Sequence, residues 1–208
     1  MLGAGTVGPT LATAFARLGH QVEVGTRDPA QTRARGPWTL DVPLRAFGQV
    51  AEDADLVVNA TNGLSSLEVL REVGTDRLSG RVLLDVANPL DPSAGFPPAL
   101  AVKDTDSLAE QIQRAFPATK VVKALNTVNA RVMVDPDRVG GGDTTMLVAG
   151  DDEAARSLVT GLLRALGWRD VIEFGELSAA RGMEMWLPLW IRLAGRLGTT
   201  DFNLRIVR

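Results

Sequence analysis

The chain has 208 residues, a length that suits one domain with a small appendage. Its 22 Lys and Arg against 25 Asp and Glu give a net charge of −3, which argues against a broad basic surface for nucleic acid or an anionic membrane. Cys and Tyr are absent and there is 1 His, so thiolate and phenol chemistry and Cys- or His-rich metal sites are excluded. We therefore expect no metal and no catalytic side chain, with the difficult chemistry left to a cofactor.

Neither a targeting segment nor a membrane span is visible in the sequence. The opening residues, Met1–Gly5, contain no basic stretch followed by an apolar core. The most apolar tract, residues 183–197, carries Glu184, Arg192 and Arg196, which a membrane span would not tolerate. We expect a cytoplasmic protein whose partner is a small molecule, with no nucleic acid and no membrane.

Helix-like and strand-like patterns alternate along the chain. Asp28, Pro29 and Gln31 predict a helix start, with an N-cap, a proline in the first turn and a capping-box glutamine. The other predicted helices cover residues 6–18, 64–73, 107–116 and 151–166, and the predicted strands cover 21–24, 56–58, 82–84, 121–122 and 146–148. This alternation predicts an α/β fold with a Rossmann-like, doubly wound, mostly parallel sheet.

The composition changes near Glu176, where Met, Trp and Leu begin to dominate. A helix kinked at Pro188 and a strand-like segment at residues 202–207 are expected there. We therefore divide the chain into a nucleotide-binding domain at 1–175 and a small helical C-terminal subdomain at 176–208.

Two side-chain pairs stand out in this C-terminal part. Trp186 and Trp190 are four residues apart on one helix face, which is compatible with a core position and, as we favour, with a dimer interface. Arg181 and Glu184 are three residues apart, so we expect them to form an ion pair on the helix surface.

The motif that indicates chemistry is the Gly-x-Gly-x-x-Gly at residues 3–8. In such a motif Gly3 permits a tight turn, Gly5 lets the backbone approach a pyrophosphate, and Gly8 lets helix and strand pack closely. The helix N-terminus that follows binds the anion through free N–H groups. A glycine-rich turn without a ligand is the alternative, but the helix and strand that follow favour a dinucleotide.

The end of the second predicted strand bears on the choice between NAD and NADP. An NAD site usually places an acidic residue there, whereas this chain has Thr26 and Arg27. A guanidinium pairs well with phosphate oxygens, so these residues predict a 2′-phosphate and therefore NADP. Asp28 would favour NAD, but it is better used as the helix cap.

Only Met1 and Leu2 precede the first glycine of the motif. A core strand normally has about 5–6 residues. The first strand is therefore expected either to be abnormally short or to belong to a chain that starts internally.

Asparagines follow three of the predicted strands, at Asn59, Asn88 and Asn126. Ligands of an open α/β sheet lie beyond the carboxyl ends of its strands, so three amides there suit a carboxamide or a deazaflavin ring. Simple turn formation is the alternative for each of them. Lys123 could be the acid or base of a different dehydrogenase, although a strand-end lysine that extends to solvent is favoured.

These motifs resemble the F420-dependent NADP oxidoreductases, or NADPH:F420 reductases, over nearly the whole chain. The segments that carry the resemblance are residues 3–8, 25–29, 85–90 and 122–128, with 180–189 and 202–208 typical of the actinobacterial branch. The resemblance implies a hydride transfer between NADP(H) and the deazaflavin coenzyme F420. It also implies a homodimer built through the C-terminal part.

The resemblance further implies positions for both coenzymes. Beside the motif glycines, Ala4, Thr6 and Val7 would cradle the pyrophosphate, and Thr26 with Arg27 would hold the 2′-phosphate. The residues implied to line the nicotinamide and the deazaflavin are Asn59, Ala60, Thr61, Asn88, Asn126, Thr127 and Val128. Phe202 would approach the deazaflavin from the C-terminal end, so that Asn126, Thr127 and Phe202 form the substrate side.

Two other functions remain open. A reductase of a small imine or carbonyl compound would need a proton donor, for which Lys123 or a water on Asn126 are candidates. A non-enzymatic NADP(H)-sensing module would bind the dinucleotide without turnover. Relatives of the resembling branch also reduce other acceptors, such as flavins or ferric iron.

Overall fold

The computed structural model describes residues 1–35 and 41–208. The strands are β1 (Val24–Thr26), β2 (Leu44–Ala46), β3 (Leu56–Asn59), β4 (Val82–Asp85), β5 (Leu90–Asp91), β6 (Ala99–Leu100), β7 (Lys120–Ala124), β8 (Thr145–Gly150) and β9 (Asp170–Phe174). The helices are α1 (Val7–Arg17), α2 (Pro29–Ala34), α3 (Ser66–Val73), α4 (Thr75–Leu78), α5 (Leu108–Ala115), α6 (Ala130–Val134), α7 (Glu153–Ala165) and α8 (Ala180–Leu197). Short 3₁₀ turns cover Phe47–Gln49, Gly63–Ser65, Pro136–Arg138, Gly140–Gly142 and Leu177–Ala179.

Leu2 joins β1 to β3 and thereby makes one sheet of all these strands except β5 and β6, which pair with each other. It forms a parallel bridge to Gly25 in β1 and another to Asn59 in β3. Its N–H donates to Val58 O at 2.8 Å, and its carbonyl accepts from Ala60 N–H at 2.9 Å. A single, fully buried residue therefore occupies the place of the first strand in the sheet.

The sheet has the doubly wound, mostly parallel topology predicted from the sequence. Its order is β2–β1–Leu2–β3–β4–β7–β8–β9. The strands from β2 to β7 are parallel, β8 runs antiparallel to β7, and β9 is parallel to β8. Because parallel strands run in one direction, the chain leaves β1, β3, β4 and β7 at the same edge of the sheet.

Apolar layers cover both faces of the sheet. On one face Leu11 of α1, Val132 of α6 and Leu163 of α7 pack onto the strands. On the other face Leu70 of α3 and Ile112 of α5 do so. Strands covered on both faces need apolar side chains at successive positions, which explains the uninterrupted apolar runs in β3 and β4.

Local signals located the helices well. The Asp28 carboxylate accepts a hydrogen bond from Gln31 N–H at 2.9 Å, so the predicted cap of α2 is confirmed. Ser107 caps α5 in the same way. The strand predicted at residues 21–24 lies instead at Val24–Thr26, where Gly25 pairs with Leu2 of the glycine turn.

The C-terminal segment differs from its prediction. Residues 202–207 do not form a strand but run irregularly beside Thr145, whose N–H donates to Leu204 O at 2.9 Å. The Asn203 side chain donates to Thr145 O and replaces a regular ladder. The division of the chain after residue 175 stays a prediction, since α8 packs against α5 and β6.

Among the described residues, no helix combines the length and apolarity needed to cross a membrane. The same part of the chain holds no group of three or more His, Asp or Glu placed to bind a metal ion.

Candidate coenzyme-binding site

The three motif glycines are glycines for different reasons. Gly3 has φ +108°, and a Cβ on it would lie 2.5 Å from Ala60 O. A Cβ on Gly8 would lie 1.8 Å from Gly3 O. Both glycines are therefore required by the packing of the turn itself. A Cβ on Gly5 would meet no atom within 4 Å. Glycine at this position leaves free space above the turn that the fold does not use.

The N-terminus of α1 opens into this free space. Thr6 stands at its N-cap without a side-chain capping hydrogen bond, and the first turn contains no acidic residue. Thr6 is exposed, whereas the following turn packs inward at Gly8. The first N–H groups and the positive end of the helix dipole are thus available to an anion, and the turn fits a pyrophosphate.

The glycine turn and the end of β1 lie side by side, because Gly3 N–H donates to Gly25 O at 2.9 Å. Arg27 follows β1, is exposed, and has neither a hydrogen bond nor an ion pair with the described part of the chain. Thr26 Oγ1 shares a hydrogen bond with Thr32 Oγ1 at 2.9 Å. An unpaired guanidinium at this strand end is compatible with a 2′-phosphate, whose position here stays a prediction.

A cleft of about 300 Å³ opens beyond the carboxyl ends of β3, β4 and β7. The residues that line it are Val7, Ala60, Thr61, Asn62, Gly63, Val86, Ala87, Asn88, Leu90, Asn126, Val128, Asn129, Ala130, Met133, Leu187 and Trp190. Every one of these side chains is uncharged. Six of the residues predicted from the sequence are among them, namely Val7, Ala60, Thr61, Asn88, Asn126 and Val128.

Two of the three predicted amides meet in this cleft. Asn126 Nδ2 donates to Asn88 Oδ1 and to Met183 O, each at 3.0 Å. Asn88 Nδ2 donates to Asn126 O at 2.9 Å. Because Met183 O can only accept, the amide nitrogen of Asn126 must face it. The Oδ1 atom of Asn126 is therefore the free end, and it is buried without a hydrogen-bond partner.

Asn59 lies behind the cleft and does not line it. It is fully buried, and its Nδ2 donates to Asp85 Oδ1 at 2.8 Å and to Ser66 Oγ at 3.0 Å. Its Oδ1 accepts from Thr61 Oγ1 at 2.6 Å. Asn59 therefore positions Thr61, which faces the cleft.

The prediction that Lys123 extends to solvent is wrong. Lys123 is 0% exposed, and its Nζ lies 2.8 Å from Asp85 Oδ2 and 2.8 Å from Glu184 Oε1. The same ammonium donates to Ala87 O. β7 lies inside the sheet and α8 contributes Glu184 beside its carboxyl end, so the side chain has no path to water. Burial acts to lower the pKa of Lys123, but Asp85 and Glu184 outweigh it and raise that pKa above 10.5.

Glu184 connects this lysine to α5. Its Oε2 accepts from Leu108 N–H at 2.9 Å and its Oε1 from Ala109 N–H at 3.3 Å, so it satisfies two free donors at the start of that helix. Burial raises the pKa of the Glu184 carboxyl above 4.5, against the opposing effect of Lys123. We call Lys123, Asp85 and Glu184 the buried ion cluster.

The predicted ion pair between Arg181 and Glu184 is also wrong. Arg181 reaches across to α5 and binds Glu110 through two contacts, at 2.6 and 2.9 Å. Glu184, three residues later, turns inward to Lys123. A partner on another helix was invisible to a rule that considers one helix at a time. The signal that could have shown it is a single glutamate inside the otherwise apolar tract at 183–191.

Sequence reasoning missed the position of Trp190. Its ring lines the cleft and stacks on Phe202, with ring centres 5.3 Å apart and planes inclined by 23°. Trp186 Nε1 donates to Thr127 O at 3.3 Å. Both indoles therefore contact their own chain, and Thr127 and Phe202 stand behind the cleft wall and not in it.

Comparison with known proteins decides the family. A family model described as "NADP oxidoreductase coenzyme F420-dependent" matches residues 1–89. A crystal structure from Arthrobacter sp. FB24, provisionally named as an F420-dependent NADP reductase, is 55% identical to this chain. It covers 100% of this chain and 97% of its own length at a TM-score of 0.97. The chain belongs to the F420-dependent NADP reductase family.

Two curated reductases of different kinds are also similar to this chain. The F420-dependent NADP reductase of Methanothermobacter marburgensis is 27% identical over an alignment of 218 positions, which covers 98% of this chain and 95% of the relative. The metalloreductase STEAP3 of Rattus norvegicus is 30% identical over 194 residues. These are 91% of this chain but 37% of STEAP3, so the chain spans little more than a third of that relative. Family membership makes the chain an NADP-linked oxidoreductase with the expected Rossmann-like fold, and the coenzymes of the family are NADP(H) and F420.

Proposed function

We propose that this chain transfers a hydride between NADP(H) and the deazaflavin coenzyme F420 or a flavin-like acceptor. Gly5 carries the NADP half of this proposal. Glycine at that position serves no packing purpose, since a Cβ there would touch nothing within 4 Å. The space beside an uncapped helix N-terminus is instead what a pyrophosphate requires.

The discrimination between NADPH and NADH is assigned to the end of β1. Arg27 is unpaired within the described residues, and the one nearby acid, Asp28, is engaged as the cap of α2. A guanidinium that is free to bind favours the 2′-phosphate of NADPH, whereas the Asp28 carboxylate, which could bind the ribose hydroxyl of NADH, already accepts the cap hydrogen bond of α2.

The uncharged cleft supports the hydride-transfer half. NADPH supplies the hydride, so the chain has to hold two rings face to face and keep water away. Asn88, Asn126 and Thr61 offer polar atoms at fixed positions, while Val7 and Leu187 among others provide apolar walls. No ionisable side chain is needed for a hydride that passes between two rings.

The position of Lys123 argues against an imine or carbonyl reductase in which this lysine is the proton donor. Lys123 does not line the cleft, and its three ammonium protons face Asp85, Glu184 and Ala87 O. A sensing module would share the dinucleotide site but would not turn over any acceptor.

The test is a turnover assay with F420 as acceptor, run in parallel with NADPH and NADH and followed by absorbance. We expect turnover with NADPH and little with NADH. Dinucleotide binding without turnover of F420 or of a flavin would contradict the proposal and favour the sensor.

We also propose a cytoplasmic homodimer that assembles through the C-terminal part, residues 176–208. The apolar side chains that α8 exposes are Met185 at 39%, Leu189 at 52% and Leu197 at 56%. Met185 and Leu189 are four residues apart and therefore lie on one face of α8. Leu189→Arg should give a monomer in analytical ultracentrifugation, and an intact dimer would refute this interface.

A further inference from the structure

We propose that the Trp190 indole N–H donates a hydrogen bond to a ring carbonyl of the acceptor coenzyme and thereby selects the acceptor. This inference rests on the proposed function and assigns the C-terminal helix a part in recognition. Trp190 would be a specificity-determining residue, because it touches the acceptor without taking part in the transfer.

The first argument is an unpaired buried donor. Trp190 Nε1 is buried and has no hydrogen-bond partner within the described part of the chain. Buried polar atoms in folded proteins are nearly always paired, since an unpaired donor keeps the full cost of leaving water. A donor left free in the wall of a cleft points to a partner that comes from outside the chain.

The two other tryptophans that the structure describes make this contrast clear. Trp168 Nε1 donates to Met133 O at 3.1 Å, and Trp186 Nε1 donates to Thr127 O at 3.3 Å. Both of these indoles therefore donate to a backbone carbonyl. Trp190, on the same helix as Trp186, does not.

The Trp190 ring is also held in place. Its stacking on Phe202, at 5.3 Å and 23°, fixes the plane of the indole. The N–H group is therefore oriented before a ligand arrives, and little rotational freedom is lost on binding. This gives Phe202, predicted on the acceptor side from family resemblance, a role behind the ring and not in direct contact.

A matching acceptor lies in the same cleft. Asn126 Oδ1 is buried and unpartnered, and the bond from Nδ2 to Met183 O fixes its orientation. An unpaired donor and an unpaired acceptor, on two residues that line the same cleft, match in kind a ring edge that carries C=O and N–H groups side by side. The pyrimidinedione ring shared by deazaflavins and flavins has that edge, whereas a phosphate or an isolated metal ion does not.

The nicotinamide carboxamide has the same two groups, but its expected place is elsewhere. Val7, Ala60 and Thr61 reach the cleft from the glycine turn and from the loop after β3, which adjoin the dinucleotide site. Trp190 reaches it from α8 at the other end of the chain. The acceptor ring is therefore the group assigned to Trp190.

The experiment compares Trp190→Phe with wild type by calorimetric titration, which needs no turnover. Oxidised F420 is titrated into protein saturated with NADP⁺, and NADPH is titrated into free protein. Phe keeps the stacking partner for Phe202 and removes the N–H. We expect the dissociation constant for F420 to rise about five- to thirty-fold, with that for NADPH unchanged within about twofold.

Trp186→Phe is the matched control, because it makes the same change on the same helix where the N–H already has a backbone partner. It should leave F420 affinity within about twofold of wild type. Equal F420 affinity in wild type and Trp190→Phe would overturn the inference, as would a weakening of NADPH instead of F420.

Failure of the proposed function gives a different result. If wild-type protein binds NADPH but no F420, the hydride acceptor is wrong and the assignment of Trp190 falls with it. If wild type binds F420 and Trp190→Phe binds it as well, only the inference fails. Should Trp190→Phe not fold, as judged by its thermal unfolding, Trp190→Leu removes the same N–H. It is then expected to bind F420 more weakly than wild type, and wild-type affinity would overturn the inference.

Discussion

The two sides of the cleft are built by opposite means. On the glycine-turn side the chain recognises a ligand with backbone N–H groups and with space that side chains leave free, as at Gly5. On the α8 side it uses side chains such as Asn126, held in place by contacts from distant segments. A backbone site is encoded within a few consecutive residues, whereas a side-chain site depends on what the whole fold places behind it.

The largest effect is expected from disruption of the buried ion cluster, which supports the α8 side of the cleft. Lys123→Met leaves two carboxylates buried without their cation, and should lower the free energy of unfolding by about 3–5 kcal/mol. Lys120→Met on the same strand is the control, since Lys120 pairs with Asp152 at 3.2 Å and the two side chains are 42% and 35% exposed. It should cost at most about 1 kcal/mol in the same urea titrations. Equal losses in the two variants would show that the cluster does not support the fold.

The next prediction concerns Arg27, the charged side chain that we propose to bind the 2′-phosphate on the glycine-turn side. Arg27→Ala should reduce the preference for NADPH over NADH in kcat/KM by about 10- to 100-fold, because a charge-assisted hydrogen bond to phosphate is lost. Arg17→Ala, at the last turn of α1, is the exposed control and should leave the preference unchanged. An unaltered preference in Arg27→Ala would remove the 2′-phosphate from this strand end.

Gly5 and Gly8 separate binding from folding within one turn. Gly5→Ala should keep the wild-type unfolding temperature and weaken NADPH binding at least about tenfold, since the methyl group enters the ligand's space. Gly8→Ala should lower the unfolding temperature, because its Cβ would lie 1.8 Å from Gly3 O. Thermal unfolding and NADPH titration of both variants check this, and tight NADPH binding by Gly5→Ala would contradict the proposed pyrophosphate site.

The smallest expected effect is a change in how the free energy of unfolding depends on pH when Glu184 is replaced. Its pKa is raised in the folded chain, so the folded state binds this proton more tightly than the unfolded state. Its contribution to stability is therefore fully present below pH 4.5 and is lost as the pH rises through the folded pKa. Glu184→Gln should lack that decline. The decline amounts to about 1.4 kcal/mol for each unit by which the folded and unfolded pKa values of Glu184 differ. Urea unfolding of both proteins between about pH 4 and 8 measures it, and parallel curves would refute it.

The sequence predicted the parts of the fold that local chemistry determines. Asp28 and Ser107 cap their helices within three residues, and the glycine motif announces its turn by spacing alone. The positions of Lys123 and Glu184 could not be predicted in this way. Leu108 and Glu184 are 76 positions apart in the chain, and no periodicity links them. The sequence predicts Asn59 at the correct strand end. Only its hydrogen bond to Asp85 shows that its side chain lies behind the residues that line the cleft.

The ion cluster also has a consequence for how the chain folds. Asp85, Lys123 and Glu184 come from three segments, and none of them can be buried alone without leaving an unpaired charge. The docking of α8 is therefore coupled to the pairing of β4 and β7, because the three charges can be buried only together. Because Glu184 holds the N–H groups of Leu108 and Ala109, the exchange of these two amides with solvent deuterium reports the undocking of a helix more than 70 positions away.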